Sequence, residues 1–481
     1  MNVFKLTLLT ILLSSAFYGV TYSQSDSAFK SISLNNLDAF RDAGNNWIIA
    51  SDAVADYTKA GDINPVKGTG AIVNTFTRNN QMHLFTKQEF GDMDVEFDFM
   101  MAKNSNSGVY LQGRYEIQLL DSWTKLNPAS SDLGGVYMRW SLPKGTFEGT
   151  PPVMNVAKAP GLWQHMHIRF RAPKFNDKGE KIVNARFENV YINGVLVQQE
   201  VSVTGPTTSA MFPDDEKAKG PLSFQGDHGP VAFRNIQYHE IIENAAVQQG
   251  DQYWIPKSDY WNTVDPIIVT PGKKPSFIRT FLMNGNEKLT HVISVGDPGE
   301  INYSYDVKRG ALFQVWRGKF LDVTPAWRDR GGMQLGIPMG SVTTLTDAPF
   351  VAVLANEKTT TWPDSIGFDD LDNKGYVLDK QRSPTFDYFI NGMEIKDSIQ
   401  TLSNGQGITR TVTVSNAVPN VYCRIVSNGK IEKLRDDLYT AGDKSFYIRI
   451  DKKYNPVIRS VGRGQEMLVK YQSALTYSII W

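Results

Sequence analysis

Apolar and polar residues alternate with a period of two over much of the first half of this chain, which predicts strands rather than helices. In Met93-Asp94-Val95-Glu96-Phe97-Asp98-Phe99 the apolar side chains alternate with acids, so one face of a strand is buried and the other faces water. Arg186-Phe187-Glu188-Asn189-Val190-Tyr191-Ile192 runs into Asn193-Gly194 and then Val195-Leu196-Val197. Asn-Gly between apolar runs predicts a tight hairpin, because a type I′ turn needs positive φ at both central positions. Past the N-terminal segment no stretch sustains a 3.6-residue period. The pattern predicts an all-β chain whose residues 24–243 form two packed antiparallel sheets.

Residues 244–275 change character: Gln248-Gln249-Gly250-Asp251 and Thr270-Pro271-Gly272-Lys273-Lys274-Pro275 read as a linker, with Trp254 and Trp261 pinning it to a neighbouring surface. Strands resume in Ile301-Asn302-Tyr303-Ser304-Tyr305 and Ser445-Phe446-Tyr447-Ile448-Arg449-Ile450, so residues 276–481 are expected to form a second, accessory β-sandwich-like domain. Within it, the run from Gln314 to Pro325 fits a strand–turn–strand unit or the wall of a ligand cleft. Asp369, Asp370 and Asp372 fit a solvated loop better than a calcium loop. The two halves do not repeat each other.

The length of 481 residues agrees with more than one domain. Fifty basic and fifty acidic residues leave no net charge, so nothing recruits nucleic acid or anionic lipid electrostatically. Lys5 precedes an apolar run from Leu6 to Val20 that ends at Thr21-Tyr22-Ser23, ahead of Gln24. That is the layout of a secretory signal peptide over residues 1–23, and it predicts a secreted or periplasmic protein with no integral membrane segment after cleavage. Cys423 is the single cysteine, which excludes an intramolecular disulfide, a cysteine-based metal cluster and covalent c-type haem. Core burial alone must then hold the domains together.

The stretch richest in chemistry runs from Asn104 to Asp121, where two apolar-patterned strands flank a turn at Gly113. On the second strand Glu116 and Gln118 share one face, while Tyr115, Ile117 and Leu119 point the other way. Strict alternation puts Asp121 with Ile117, so only a bulge would bring it beside Glu116. The spacing is similar to the catalytic strand of laminarinase-type endoglucanases, in which all three places are acids. Here the middle one is an amide, which argues against a simple two-carboxylate retaining mechanism.

The chain resembles the 3-keto-disaccharide hydrolase domain family. The resemblance rests on Asn106-Ser107-Gly108, Tyr115-Glu116-Ile117-Gln118-Leu119-Leu120-Asp121, Gly134-Gly135-Val136-Tyr137 and Gly161-Leu162-Trp163. It continues through Ile192-Asn193-Gly194, Gln225-Gly226-Asp227-His228-Gly229 and Phe233-Arg234-Asn235-Ile236, in order over roughly residues 35–243. It implies a concanavalin-like jelly roll and a small-molecule carbohydrate substrate. The glycoside would have had its C3 hydroxyl oxidised to a ketone by an upstream sugar 3-oxidase.

A C3 ketone acidifies the C2 proton, because the carbanion left behind is an enolate. A base takes that proton, a donor stabilises the enolate oxygen, the C1 aglycone leaves with acid help, and water adds to the product. Glu116 is the expected base and His228 the acid or enolate donor, with Asp121 a third catalytic candidate. Asn106, Gln118, Tyr137, His165, Gln225 and Asp227 are candidates for holding the sugar, and Trp140 or Trp163 for stacking on a ring.

Other readings stand beside these. Asn106-Ser107-Gly108 and Asp227-His228-Gly229-Pro230 are also turn-like, and the two Trp residues fit a core equally well. His165 and His167 share a strand face with Arg169 and Arg171, a pattern that suits an exposed polar face better than a metal pair. No metal ligand set is expected and no cofactor is required, although a structural calcium would suit a concanavalin-like sandwich. A non-catalytic carbohydrate-binding protein is one alternative. A glycosidase for unoxidised sugars is another, and it would need two carboxyls roughly 5–5.5 Å or 6.5–9.5 Å apart.

Overall fold

A computed structural model of the chain describes residues 29–213, 216–241, 264–328, 331–367, 369–427 and 429–481. The expected signal peptide therefore lies outside the described residues, as does most of the expected linker. The architecture is nearly all β, in antiparallel sheets, as the period-two pattern predicts.

The first half packs two sheets face to face. The larger runs in the order Val195–Val203, Ala185–Ile192, Gln164–Arg171, Met93–Met101, Val231–Glu240, Asn64–Asn74, Trp47–Val54. The smaller has four strands, Leu84–Phe90, Gly220–Phe224, Asn106–Leu111 and Tyr115–Leu120. Alternation sends Val95, Phe97 and Phe99 of one sheet and Val109, Ile117 and Phe224 of the other into a shared core. Both expected hairpins form, with positive φ at Gln112 and Gly113 and at Asn193 and Gly194.

In the second half, Ile268–Val269 pairs with the strand Ala311–Asp322, so the end of the expected linker is an edge strand of the accessory region. Ala311–Asp322 is itself one continuous strand and not a strand–turn–strand unit; it bends at Gly318 (φ 116°) and leads into the short helix Thr324–Arg328. Asp372 pairs with Lys374 in solvent.

The halves are locked together. Leu438, Tyr447 and Ile480 of the second half belong to the hydrophobic core of the first. Trp123 Nε1–H donates to Trp481 O at 2.6 Å, and Lys444 and Arg435 pair with Asp52 and Asp56. Gly161, at φ 80°, lets the chain pass so close that an added Cβ would stand 2.3 Å from the Tyr447 hydroxyl. That hydroxyl donates to Pro160 O at 2.7 Å.

Candidate active site

The face of the four-stranded sheet turned away from the core gathers most of the candidate residues. Asn106–Leu111 and Tyr115–Leu120 pair without a register shift, setting Tyr110 opposite Glu116 and Gly108 opposite Gln118. Directly opposed residues share a face, so Tyr110, Glu116 and Gln118 stand together, with Asn106 on the same side. Residues 134–137 extend the sheet beyond Tyr115–Leu120: Tyr137 N–H donates to Glu116 O at 3.1 Å, and Gln118 N–H to Gly135 O at 2.9 Å. This brings Tyr137 beside Glu116 and buries a face that strand periodicity alone would leave wet.

Glu116 is 3% exposed. Burial pushes its carboxyl up to about 8; the Tyr110 hydroxyl bound to it acts in the opposite sense, and the Asp227 charge adds to the rise. Burial and the same carboxylate raise Tyr110 far above the ordinary phenol value, and Tyr137 also rises, for the same reasons. The Gln118 amide nitrogen, oriented to satisfy both ends of the group, donates to Glu116 Oε1 at 3.1 Å and Ser107 O at 2.8 Å. Gly108 makes room for the carboxyl: an added Cβ there would lie 2.2 Å from Glu116 Oε1.

The loop after Gly220–Phe224 supplies the second group. Gln225 N–H donates to Gly108 O at 2.9 Å and Ser107 Oγ–H to Gln225 O at 2.9 Å, tying the loop to the Glu116 hairpin. Buried Asn74 donates to Gly226 O at 3.1 Å and Gly229 O at 3.0 Å, and Ser105 Oγ–H to Pro230 O at 2.6 Å. On this clamped loop His228 Nδ1 lies 2.6 Å from Asp227 Oδ1 and 3.2 Å from the Gln225 amide. The Asp227 carboxylate thereby orients the His228 ring and holds a proton on its Nδ1.

His83, which sequence reading missed, completes the cluster. It sits 3.9 Å from Asp227, and its Nδ1 accepts the Gly226 N–H at 3.2 Å, so a neutral ring carries its proton on Nε2. Burial lowers its pKa, Asp227 opposing and His228 assisting. No sequence motif marks His83; it reaches the site because its neighbour strand Leu84–Phe90 pairs with Gly220–Phe224.

Asp121 stays apart. The unshifted register provides no bulge, and its carboxylate accepts the Asn104 N–H at 2.8 Å, closing the turn ahead of Asn106. His165 and Trp163 belong to the larger sheet and its approach. His165 lies on that sheet's outer face, 3.0 Å from Asp98, while Trp163 is buried, donates to Asp52 at 3.0 Å and lies under Arg234. Neither shares the Glu116 face. Trp140 is 56% exposed on the hairpin Arg139–Ser141 and Gly145–Phe147, which follows Tyr137. Among the described residues no group of three or more His, Cys, Asp or Glu side chains is arranged to hold a metal ion.

Residues 32–239 match the 3-keto-alpha-glucoside-1,2-lyase-like domain family. The match spans the first-half sandwich and supports a glycoside-acting function. A search of curated proteins finds no match. Among solved structures the chain is similar to a candidate glycosyl hydrolase from Parabacteroides distasonis ATCC 8503, with 24% identity, 44% of this chain and 84% of that one covered, and TM-score 0.31. It is also similar to the carbohydrate binding module CBM66 from Bacillus subtilis, with 10% identity, 41% and 97% covered, and TM-score 0.20. The botulinum neurotoxin serotype D binding domain matches at 9% identity, with 94% and 96% covered and TM-score 0.26. Among the described residues no helix is long and apolar enough to cross a membrane.

Proposed function

We propose that the lyase-like domain cleaves the glycosidic bond of 3-keto-glycosides by β-elimination, with Glu116 as the base. The observation that carries this reading is the buried Glu116 carboxyl, raised to about 8 and within the field of Asp227, which holds His228 on the loop after Gly220–Phe224. A carboxylate of that basicity suits abstraction of a ketone-activated C–H proton better than an ordinary one, because proton transfer is most effective when the pKa of the base lies near the working pH.

Ionised Glu116 takes the C2 proton, and the C2–H bonding pair moves into a C2–C3 double bond while the C3 oxygen becomes an enolate. His83 Nε2–H, which has no partner among the described residues, is available as a donor to that oxygen. The enolate collapses, a C1–C2 double bond forms, and the C1–O bond breaks as protonated His228 gives its proton to the departing oxygen. Water then adds at C1, returning its proton to His228, while Glu116 protonates C2. The sum is a hydrolysis with no net redox change, so the ketone must come from a separate sugar 3-oxidase. Gln118, Gln225, Tyr137 and Asn106 line the ring, and Trp140 on its exposed hairpin is a platform for the aglycone. Export by the N-terminal signal would place this reaction in the periplasm or outside the cell.

Sugar release is measured from a 3-keto-glucoside and from its unoxidised parent, with wild type and Glu116→Gln. The expected result is release from the keto substrate alone, lost in the variant and falling off on either side of a pH optimum, because Glu116 must be ionised while His228 keeps its proton. Release from the parent would point to a conventional glycosidase. Binding without release from either would point to a carbohydrate-binding module.

A further inference from the structure

A cleft of about 540 Å³ opens where the two halves meet, and none of its lining residues belongs to the Glu116–His228 cluster. Its size falls in the range of roughly 300–1,000 Å³ typical of small-molecule sites. Lys158 is its one lining residue from the first half; the others lie between Asn284 and Phe446. The wall is rich in hydroxyls, including Thr343, Thr346 and Ser427, with the Asp443 carboxylate and the apolar Phe446 beside them.

Two polar groups in this wall are left open. The Lys158 backbone is fixed, its N–H donating to Gln164 Oε1 at 2.9 Å, yet its ammonium has no hydrogen bond or ion pair among the described residues. Burial lowers its pKa to about 8, Asp98 opposing, so the group is still mostly charged at neutral pH. Thr343 Oγ1 is buried and also has no partner. Buried polar groups are almost always satisfied, so the orphaned Thr343 hydroxyl, together with the unpaired ammonium of half-buried Lys158 on the same cleft, indicates an occupant that supplies acceptors. Asp347 and Asp443 also line the cleft, so its charge does not favour an anion over a neutral polyol.

We propose that this interdomain cleft is a second saccharide-binding site, for a neutral mono- or disaccharide whose hydroxyls accept from Lys158 and Thr343 and donate to Asp443. It is independent of Glu116, and it would hold a glycoside on the enzyme apart from the bond being cleaved.

Calorimetric titration of the intact protein with cellobiose, maltose and glucuronate tests it, alongside Glu116→Gln, Lys158→Met and Thr343→Val. The expected result is a saturable disaccharide site kept in Glu116→Gln and weakened about tenfold or more in Lys158→Met. Thr343→Val, nearly isosteric, should weaken it less, and unchanged melting transitions would show that both cleft variants fold. Three outcomes would overturn the proposal: no binding of either disaccharide, binding indifferent to both cleft variants, or tighter binding of glucuronate. Binding lost only in Glu116→Gln would locate the saccharide at the first site, leaving the elimination reading intact and removing this one.

Discussion

Replacing Glu116 by Gln should stabilise the protein, and by an amount that depends on pH. In the native state burial raises the carboxyl to about 8 from an ordinary 4.5, so the folded chain binds a proton that the unfolded chain releases between those values. A raised carboxyl of this kind costs nothing below pH 4.5; the stability is lost progressively as pH climbs from 4.5 to 8 and is constant above. At about 1.36 kcal/mol per pH unit, the penalty is about 3 kcal/mol at pH 7 and about 5 kcal/mol at pH 9. Glu116 is 3% exposed, so solvent screening does not dilute this figure. Gln is nearly isosteric, keeps an acceptor for the Tyr110 hydroxyl and has no charge to desolvate. Urea denaturation of both proteins at pH 4, 7 and 9 should show near-equal stability at pH 4 and a widening advantage for Glu116→Gln above it. At the same time turnover of the keto substrate should vanish, the pairing expected of a residue kept for chemistry at the expense of stability. Equal stability at pH 9, or an advantage that does not change with pH, would refute a buried carboxyl of raised pKa and the choice of base with it.

Three further outcomes are expected. Gly108→Ala would place a methyl 2.2 Å from Glu116 Oε1. Displacing the carboxyl by about 1 Å should lower kcat roughly 100-fold, and overpacking should cost about 1–3 kcal/mol in a melting experiment. Asp227→Asn removes both the partner of His228 and a charge that raises Glu116, so the limb of the pH–rate profile set by Glu116 should move to lower pH while the maximum falls by about 100-fold or more. A profile that keeps its midpoint would separate Asp227 from Glu116. In the second half, Asp397→Ala would leave Arg410 buried without its 2.5 Å partner and should cost about 3–5 kcal/mol by urea denaturation; a loss below about 1 kcal/mol would show that water reaches the pair.

The two-residue period, the Gln112-Gly113 and Asn193-Gly194 turns and the shared face of Glu116 and Gln118 were legible in the sequence, because each is decided by neighbours within a few residues. Periodicity could not say that Ser107 binds Gln225 O across 118 positions, the contact that ties Asn106-Ser107-Gly108 to the loop after Phe224. The burial of Glu116 was not legible. An acid on the outer face of a strand reads as wet, and only the crossing of residues 134–137 and the loop holding Asp227 dries it and raises its pKa. His83 joined the cluster through strand pairing alone. Asp121 and Trp163 lie in the quoted motifs and His165 two residues beyond one of them, yet the end of one strand and the placement of another in the opposite sheet keep all three away from Glu116. Sequence by itself determined which residues alternate, where the chain turns and which carboxylate shares a face with an amide. Tertiary structure decided which of those faces lost its water, and desolvation is what lifts the Glu116 carboxyl to about 8.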